Sequence, residues 1–302
     1  MTFDAISRRT FLHAAVLAAG GVALPAFLRS ATPPQETAPT PSLDDIALTE
    51  RLRSGGKEEF SRLPVGERVA AMGRTFLGWP YTASSLEEAG EEHLVVNLRA
   101  FDCVTFCETT LALARVTGSS GATPADFRGD LQLIRYRSGL IAGYPSRLHY
   151  FTEWVSDNNA KKVVADVTRS IGGAQNRKRL NFMSTHRSAY AQLSQEEVYA
   201  RIVETEKRLS RMERYRIERE RVAPLLPKIM TGDIIGITTS VNGLDCAHTG
   251  IAVREGEMMR LLHAPRAGER VQFTKGSLAD YIAGDAQHTG IIVARPLERT
   301  RA

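Results

Sequence analysis

From Asp45 to Phe76, apolar residues recur at spacings of three and four, through Phe60, Leu63, Val69 and Met72 with charges between them, which predicts amphipathic helices. Gly78-Trp79-Pro80-Tyr81 breaks that rhythm. An acidic segment from Glu87 to Glu92 then leads through Leu94-Val95-Val96-Asn97-Leu98 to Phe101-Asp102-Cys103. A new helix is expected from Cys103 to about Val116, with Phe106, Leu111, Leu113 and Ala114 apolar, Asp102 at the N-cap position and Gly118 just past the end. Cys103 therefore falls in the first turn of a helix.

Further along, Ile134 to Asn158 mixes aromatic and basic residues, a texture suited to lining a cleft, and Lys161 to Val167 alternates like a strand. Ser194 to Arg221 is dense in Glu and Arg while Val198, Ile202, Leu209 and Met212 keep a helical rhythm, so it reads as a solvated helix. After Pro224 the pattern changes to short β-like runs: Asp233 to Ile237, His248 to Arg254, Met258 to His263 and Gly290 to Ala294. The fold class expected is α+β, a helical N-terminal part that carries Cys103 on a helix start, packed on a C-terminal antiparallel sheet.

Composition adds little to this except at the N-terminus. A chain of 302 residues with 43% hydrophobic content buries a sizeable core without a disulfide framework. Both charge signs alternate along Ser194 to Arg221, so that stretch is not a nucleic-acid patch and no nucleic-acid partner is expected. Ser7-Arg8-Arg9-Thr10-Phe11-Leu12, followed by an apolar run from Ala14 to Leu28, resembles a twin-arginine export signal. That run is short of the roughly 20 residues a membrane span requires, so contact with a membrane is expected only through the signal. Residues 1–30 are read as the signal, 31–44 as a Pro/Thr-rich spacer and 45–302 as one catalytic domain. The resemblance implies passage through the twin-arginine machinery to the periplasm or beyond. Without residues 1–30 the formal net charge of +5 falls to +3, as Arg8, Arg9, Arg29 and Asp4 leave.

A cysteine reacts as its thiolate, and the unpaired N–H groups and dipole of a helix start favour that anion, so Cys103 is the candidate nucleophile. Its base must be a histidine brought from elsewhere in the fold. Of the 7 histidines, His13 lies in the signal, His93 in an acidic loop and His186 in a polar stretch, which leaves His149, His248, His263 and His288. His248 opens one predicted strand and His263 ends the next, so neighbouring antiparallel strands would set both imidazoles on one face. The string HTGI occurs at both His248 and His288, which keeps His288 as a rival. Cys103, Cys107, Cys246, His248 and His263 also admit a different reading, as ligands of a soft metal such as zinc. The offsets of Cys107 from Cys103 and of Cys246 from His248 nearly match, which allows either a disulfide or two independent thiols.

Four ordered blocks, Phe101-Asp102-Cys103-Val104-Thr105-Phe106, Gly232-Asp233-Ile234-Ile235, His248-Thr249-Gly250-Ile251-Ala252-Val253 and Leu262-His263-Ala264, resemble those of NlpC-type papain-like cysteine hydrolases. Gly78-Trp79-Pro80-Tyr81, Leu94 to Leu98 and Arg147-Leu148-His149-Tyr150-Phe151 bring the resemblance closer to the N-acetylmuramoyl-L-alanine amidase-like branch, over about residues 60 to 297. Val104 and Thr105 replace the serine and glycine that follow the nucleophile in the wider group, which also favours this branch.

The resemblance implies a papain-like fold, Cys103, His248 and His263 as catalytic residues, and Tyr81 beside the nucleophile. Arg147 and His149 match the branch, and a guanidinium near a cleft suits a substrate carboxylate. The implied activity is hydrolysis of the amide between muramic acid and L-alanine in peptidoglycan or a muropeptide, with no cofactor. An endopeptidase cutting between D-glutamate and the diamino acid is the alternative within the group. A zinc-binding protein and a noncatalytic wall-binding module are the alternatives outside it.

Overall fold

The computed structural model describes residues 43–55, 58–88, 90–118 and 121–299. Residues 1–30, read as the signal, and most of 31–44, read as the spacer, lie outside them. Helices α1 (Leu43–Gly55), α2 (Glu58–Ser61) and α3 (Val65–Arg74) open the described chain, and α4 (Cys103–Thr117), α5 (Pro124–Arg135) and α6 (Phe151–Ala160) follow. Strands β1 (Val164–Asp166) and β2 (Ala174–Gln175) then precede α7 (Phe182–Thr185), α8 (Glu196–Arg211), β3 (Tyr215–Glu218) and α9 (Arg219–Leu225). The last portion is β4 (Ile234–Thr239), β5 (Cys246–Glu255), β6 (Met258–His263), β7 (Gln272–Phe273), α10 (Leu278–Ala283) and β8 (His288–Pro296).

The strands form one antiparallel sheet in the order β2-β3-β8-β4-β5-β6-β7, with β1 also on β8. Alternation along each strand divides the core into two layers. Ile234, Ile251, Val253, Leu262 and Ile292 pack with Val69, Phe106, Leu111 and Leu113 of α3 and α4. Ile235, Ile237, Ala252, Leu261 and Val293 point to the other face and are covered by Val222 of α9 and by Leu278 and Ile282 of α10. The predicted helices-on-sheet arrangement is therefore present, with an additional helical layer beneath it. A third cluster joins Tyr144 and Tyr150 to Ile202 and Leu209 of α8.

Local chemistry explains the boundaries. Asp102 caps α4 in a reciprocal box with Thr105, and Gly118 ends it. The charge-rich stretch read as one helix is broken after Arg211, and Tyr215–Glu218 joins the sheet beside β8 through Ile217↔Ile291. Gly236 in β4 admits the Phe151 ring, because a Cβ there would lie 2.2 Å from it. Among the described residues no helix is long and apolar enough to cross a membrane.

Candidate active site

Cys103 is the first residue of α4. The N-terminal amides of a helix have no partner within it, and here three of them are taken locally. Asp102 N–H donates to Thr105 Oγ1 at 3.0 Å, and Val104 and Thr105 N–H donate to Asp102 Oδ1 at 3.0 and 2.7 Å. The N–H of Cys103 makes no hydrogen bond among the described residues, which leaves it facing whatever approaches the sulfur.

The helix start is tied to the sheet next to His248. Thr249 donates its hydroxyl to the Cys103 carbonyl at 2.8 Å, and the Cys107 thiol lies 3.8 Å from the same hydroxyl. This happens where two strands part. The β5–β6 ladder runs from Glu255↔Met258 to Ile251↔Leu262 and stops, so Thr249 has no partner on that side. One position back on β5, His248 projects toward α10, and its Nε2 lies 2.7 Å from Nδ1 of His263 at the end of β6. The sequence expectation that adjacent strands set these imidazoles on one face therefore holds. No hydrogen bond joins His248 to the Cys103 thiol among the described residues.

Burial governs the titration of these groups. It pushes the Cys103 thiol up to about 11, aided by the Asp102 carboxylate and opposed by the N–H and hydroxyl of Thr249. The acidifying effect expected of the helix start is thus outweighed by burial, with the Asp102 carboxylate adding to it. Burial also lowers His248 to about 3, with His263 and His288 adding to the effect, and lowers His263 to about 4. These shifts favour the uncharged forms, a thiol at Cys103 and imidazoles at His248 and His263.

The other named residues separate into near and far. Tyr81 bridges to Phe101 two residues before the cysteine, and its phenol is raised to about 12 by burial and then by Cys103 and Asp102. His149 lines a cavity of about 30 Å³ with Val104, Cys107 and Thr249, while its Nε2 meets the Tyr144 carbonyl at 2.9 Å. The guanidinium of Arg147 is engaged within the chain. It donates to the Leu86 carbonyl at 2.7 Å and to Glu87 at 2.9 Å, and it lies over the Tyr144 ring. It pins the acidic loop. His288 sits 5.6 Å from Tyr281, ring to ring, and makes no hydrogen bond to His248.

Thr249 and Tyr281 were not singled out from the sequence. Tyr281, on α10, stands edge-on to His263 at 5.2 Å and 83° and shields the histidine pair from below. All three cysteines are free, so Cys107 and Cys246 do not form a disulfide. Among the described residues no group of three or more His, Cys, Asp or Glu is arranged to hold a metal ion.

Residues 71–295 match the family described as AmiA-like, N-acetylmuramoyl-L-alanine amidase-like. The fold is similar to that of an N-acetylmuramoyl-L-alanine amidase from Bacteroides uniformis, with 35% identity, 78% of this chain and 99% of that chain covered, and a TM-score of 0.74. It is also similar to a Bacteroides fragilis protein provisionally named a xylanase, with 36% identity, 74% and 99% covered, and a TM-score of 0.71. A Legionella pneumophila protein at 20% identity, with 84% and 97% covered and a TM-score of 0.60, shares the fold. No curated protein matches the sequence. The match across 71–295, on a sheet and helix pair that bring Cys103 beside the His248 strand, shows that this chain belongs to the N-acetylmuramoyl-L-alanine amidase-like family.

Proposed function

We propose that the protein is an exported cysteine hydrolase of the NlpC-type papain-like group that cuts the amide between the muramic acid lactyl group and L-alanine in peptidoglycan fragments. The observation that carries this reading is the His248–His263 hydrogen bond of 2.7 Å, one residue from the Thr249 that holds the Cys103 helix start. With Nε2 engaged by His263, Nδ1 of His248 is the nitrogen available to take the thiol proton. Catalytic pairs in unliganded sites are often long and close only around substrate.

In the proposed cycle His248 accepts the Cys103 proton and the thiolate attacks the lactyl carbonyl. The Cys103 N–H and the Tyr81 phenol serve as the oxyanion donors in this cycle. His248 returns the proton to the departing L-alanine amine, and water activated by the same histidine releases the acyl group. A glycosidase reading finds less support, because that chemistry needs two opposed carboxylates. Asp102, the carboxylate beside Cys103, is occupied in capping α4 and accepting from Ser85 at 3.0 Å.

Export rests on residues 7–28, with the twin-arginine machinery as the partner and the periplasm as the destination. Mass spectrometry of defined muropeptides tests the reaction, since the fragment masses identify the bond. Cleavage at muramoyl–L-alanine by the wild type and its absence in a folded Cys103→Ala variant is the expected result. Cleavage surviving in that variant, or only at the D-glutamyl bond, rejects the assignment.

A further inference from the structure

A pocket of about 590 Å³ has His263 in its wall, together with Tyr281, His288 and Lys275. This volume accommodates a small ligand or one to two amino-acid residues. Its connection to the chemistry is direct, because the His263 that bonds His248 is part of the wall.

The protonation pattern required for catalysis determines what this wall offers. For Nδ1 of His248 to accept the thiol proton, its Nε2 must already carry one and donate it to Nδ1 of His263. A neutral His263 then holds its own proton on Nε2. That nitrogen makes no hydrogen bond among the described residues, so the working tautomer gives the pocket an N–H donor that needs an acceptor from outside the chain.

The ionised groups around it are engaged, with one exception. Arg266 pairs with Glu269 at 2.6 Å, and Gln272 donates to the same carboxylate at 2.8 Å. Asp280 accepts from the N–H and hydroxyl of Ser277, and Asp285 accepts from the Gln287 N–H. Lys275 has no hydrogen-bond or ion-pair partner among the described residues. An imidazole N–H and an unpaired ammonium lining one pocket are two donors suited to an anion, although Glu269, Asp280 and Asp285 line it as well, and a carboxylate is the anion a muramoyl peptide carries.

We propose that this pocket is a substrate subsite in which Lys275 and the Nε2–H of His263 hold a carboxylate of the D-glutamate that follows L-alanine in the stem peptide. The proposal rests on the muropeptide reading above. It links recognition to reaction, because a carboxylate on Nε2–H fixes the tautomer that leaves Nδ1 of His248 free to act as base.

The test compares N-acetylmuramoyl-L-alanyl-D-glutamate with its analogue in which both glutamate carboxyls are amides, using the wild type, Lys275→Ala and Lys275→Arg. The diamide should react about tenfold less efficiently with the wild type, and Lys275→Ala should lose about the same factor on the dicarboxylate alone. Lys275→Arg should recover most of that loss. If Lys275→Ala slows both substrates equally, or neither, the subsite is wrong while the muropeptide reading stands. If the wild type turns over neither compound, the muropeptide reading fails. Calorimetric titration of L-alanyl-D-glutamate then decides the subsite: weaker binding to Lys275→Ala supports it, and equal or absent binding overturns it.

Discussion

The hydroxyl of Thr249 donates to the carbonyl oxygen of Cys103 at 2.8 Å, so the neighbour of the proposed base is bonded to the backbone of the proposed nucleophile. Thr249→Val keeps the shape and removes that bond. We expect stability to fall by only about 1 kcal/mol, because the carbonyl is also a helix acceptor. Turnover should fall about tenfold through kcat, since a small displacement of a catalytic pair is costly. An unchanged kcat would show that the helix start is held adequately without Thr249.

His263→Ala should lower kcat while leaving more activity than His248→Ala, because an orienting group assists the base without reacting. His263→Asn, which keeps a polar partner, should recover part of the loss. His288→Ala should be the mildest of the histidine changes, and a larger loss there than at His263 would reverse the assignment.

The pH profile follows from the direction of each shift. His248 and His263 are lowered to about 3 and about 4, so both are neutral above that range, and kcat/KM should hold a plateau from weakly acidic pH upward and fail as pH drops through about 4. Cys103 is raised to about 11, so the free thiol is protonated at neutral pH and its alkylation by iodoacetamide should quicken steadily with rising pH. Asp102→Asn keeps the capping acceptor and removes the charge, so alkylation at neutral pH should be faster. A bell centred on pH 6 with rapid alkylation at neutral pH would indicate a preformed thiolate–imidazolium pair.

Arg147→Ala frees Glu87 and the Leu86 carbonyl and leaves the Tyr144 ring uncovered. We expect a loss of about 2 kcal/mol, discounted from a fully buried pair because Glu87 is partly exposed. Thermal unfolding measures this. Arg147→Lys should not restore the loss, because one ammonium cannot replace a planar fork serving several acceptors.

Changing Arg8 and Arg9 together to lysine should retain the protein in the cytoplasm. Fractionation measures this, and an undiminished periplasmic yield would point to another route.

Much of the candidate site's geometry was legible because it is built from local signals. Asp102 with Thr105 forms a short capping motif, and His248 and His263 stand 15 residues apart on strands whose alternation is clear. Less legible were features set by distant packing. The sequence offers Arg147 for a substrate carboxylate and gives no sign of its bonds to Leu86 and Glu87, which lie 61 and 60 residues away in a loop without periodicity. Tyr281 belongs to a six-residue helix whose pattern resembles an ordinary surface turn until Leu278 and Ile282 are seen against the sheet. β3 is a short run inside a charge-rich stretch, and only its pairing with β8 marks it as a strand. The acidity expected of Cys103 from its position on a helix was reversed by burial, which sequence does not disclose.

The separation between the two halves of the site has a consequence for the order of folding. Thr249 and Cys103 are 146 residues apart, and His263 comes later still. Contacts this distant in sequence form late, after the cost of closing so long a loop has been met. A partly synthesised or partly folded chain carries Cys103, the proposed nucleophile, on a nearly complete helical segment without the His248 proposed as its base. On the proposed mechanism, reactivity toward an amide arises only once β5 and β6 are in place, so an active-site titrant would report completion of the sheet.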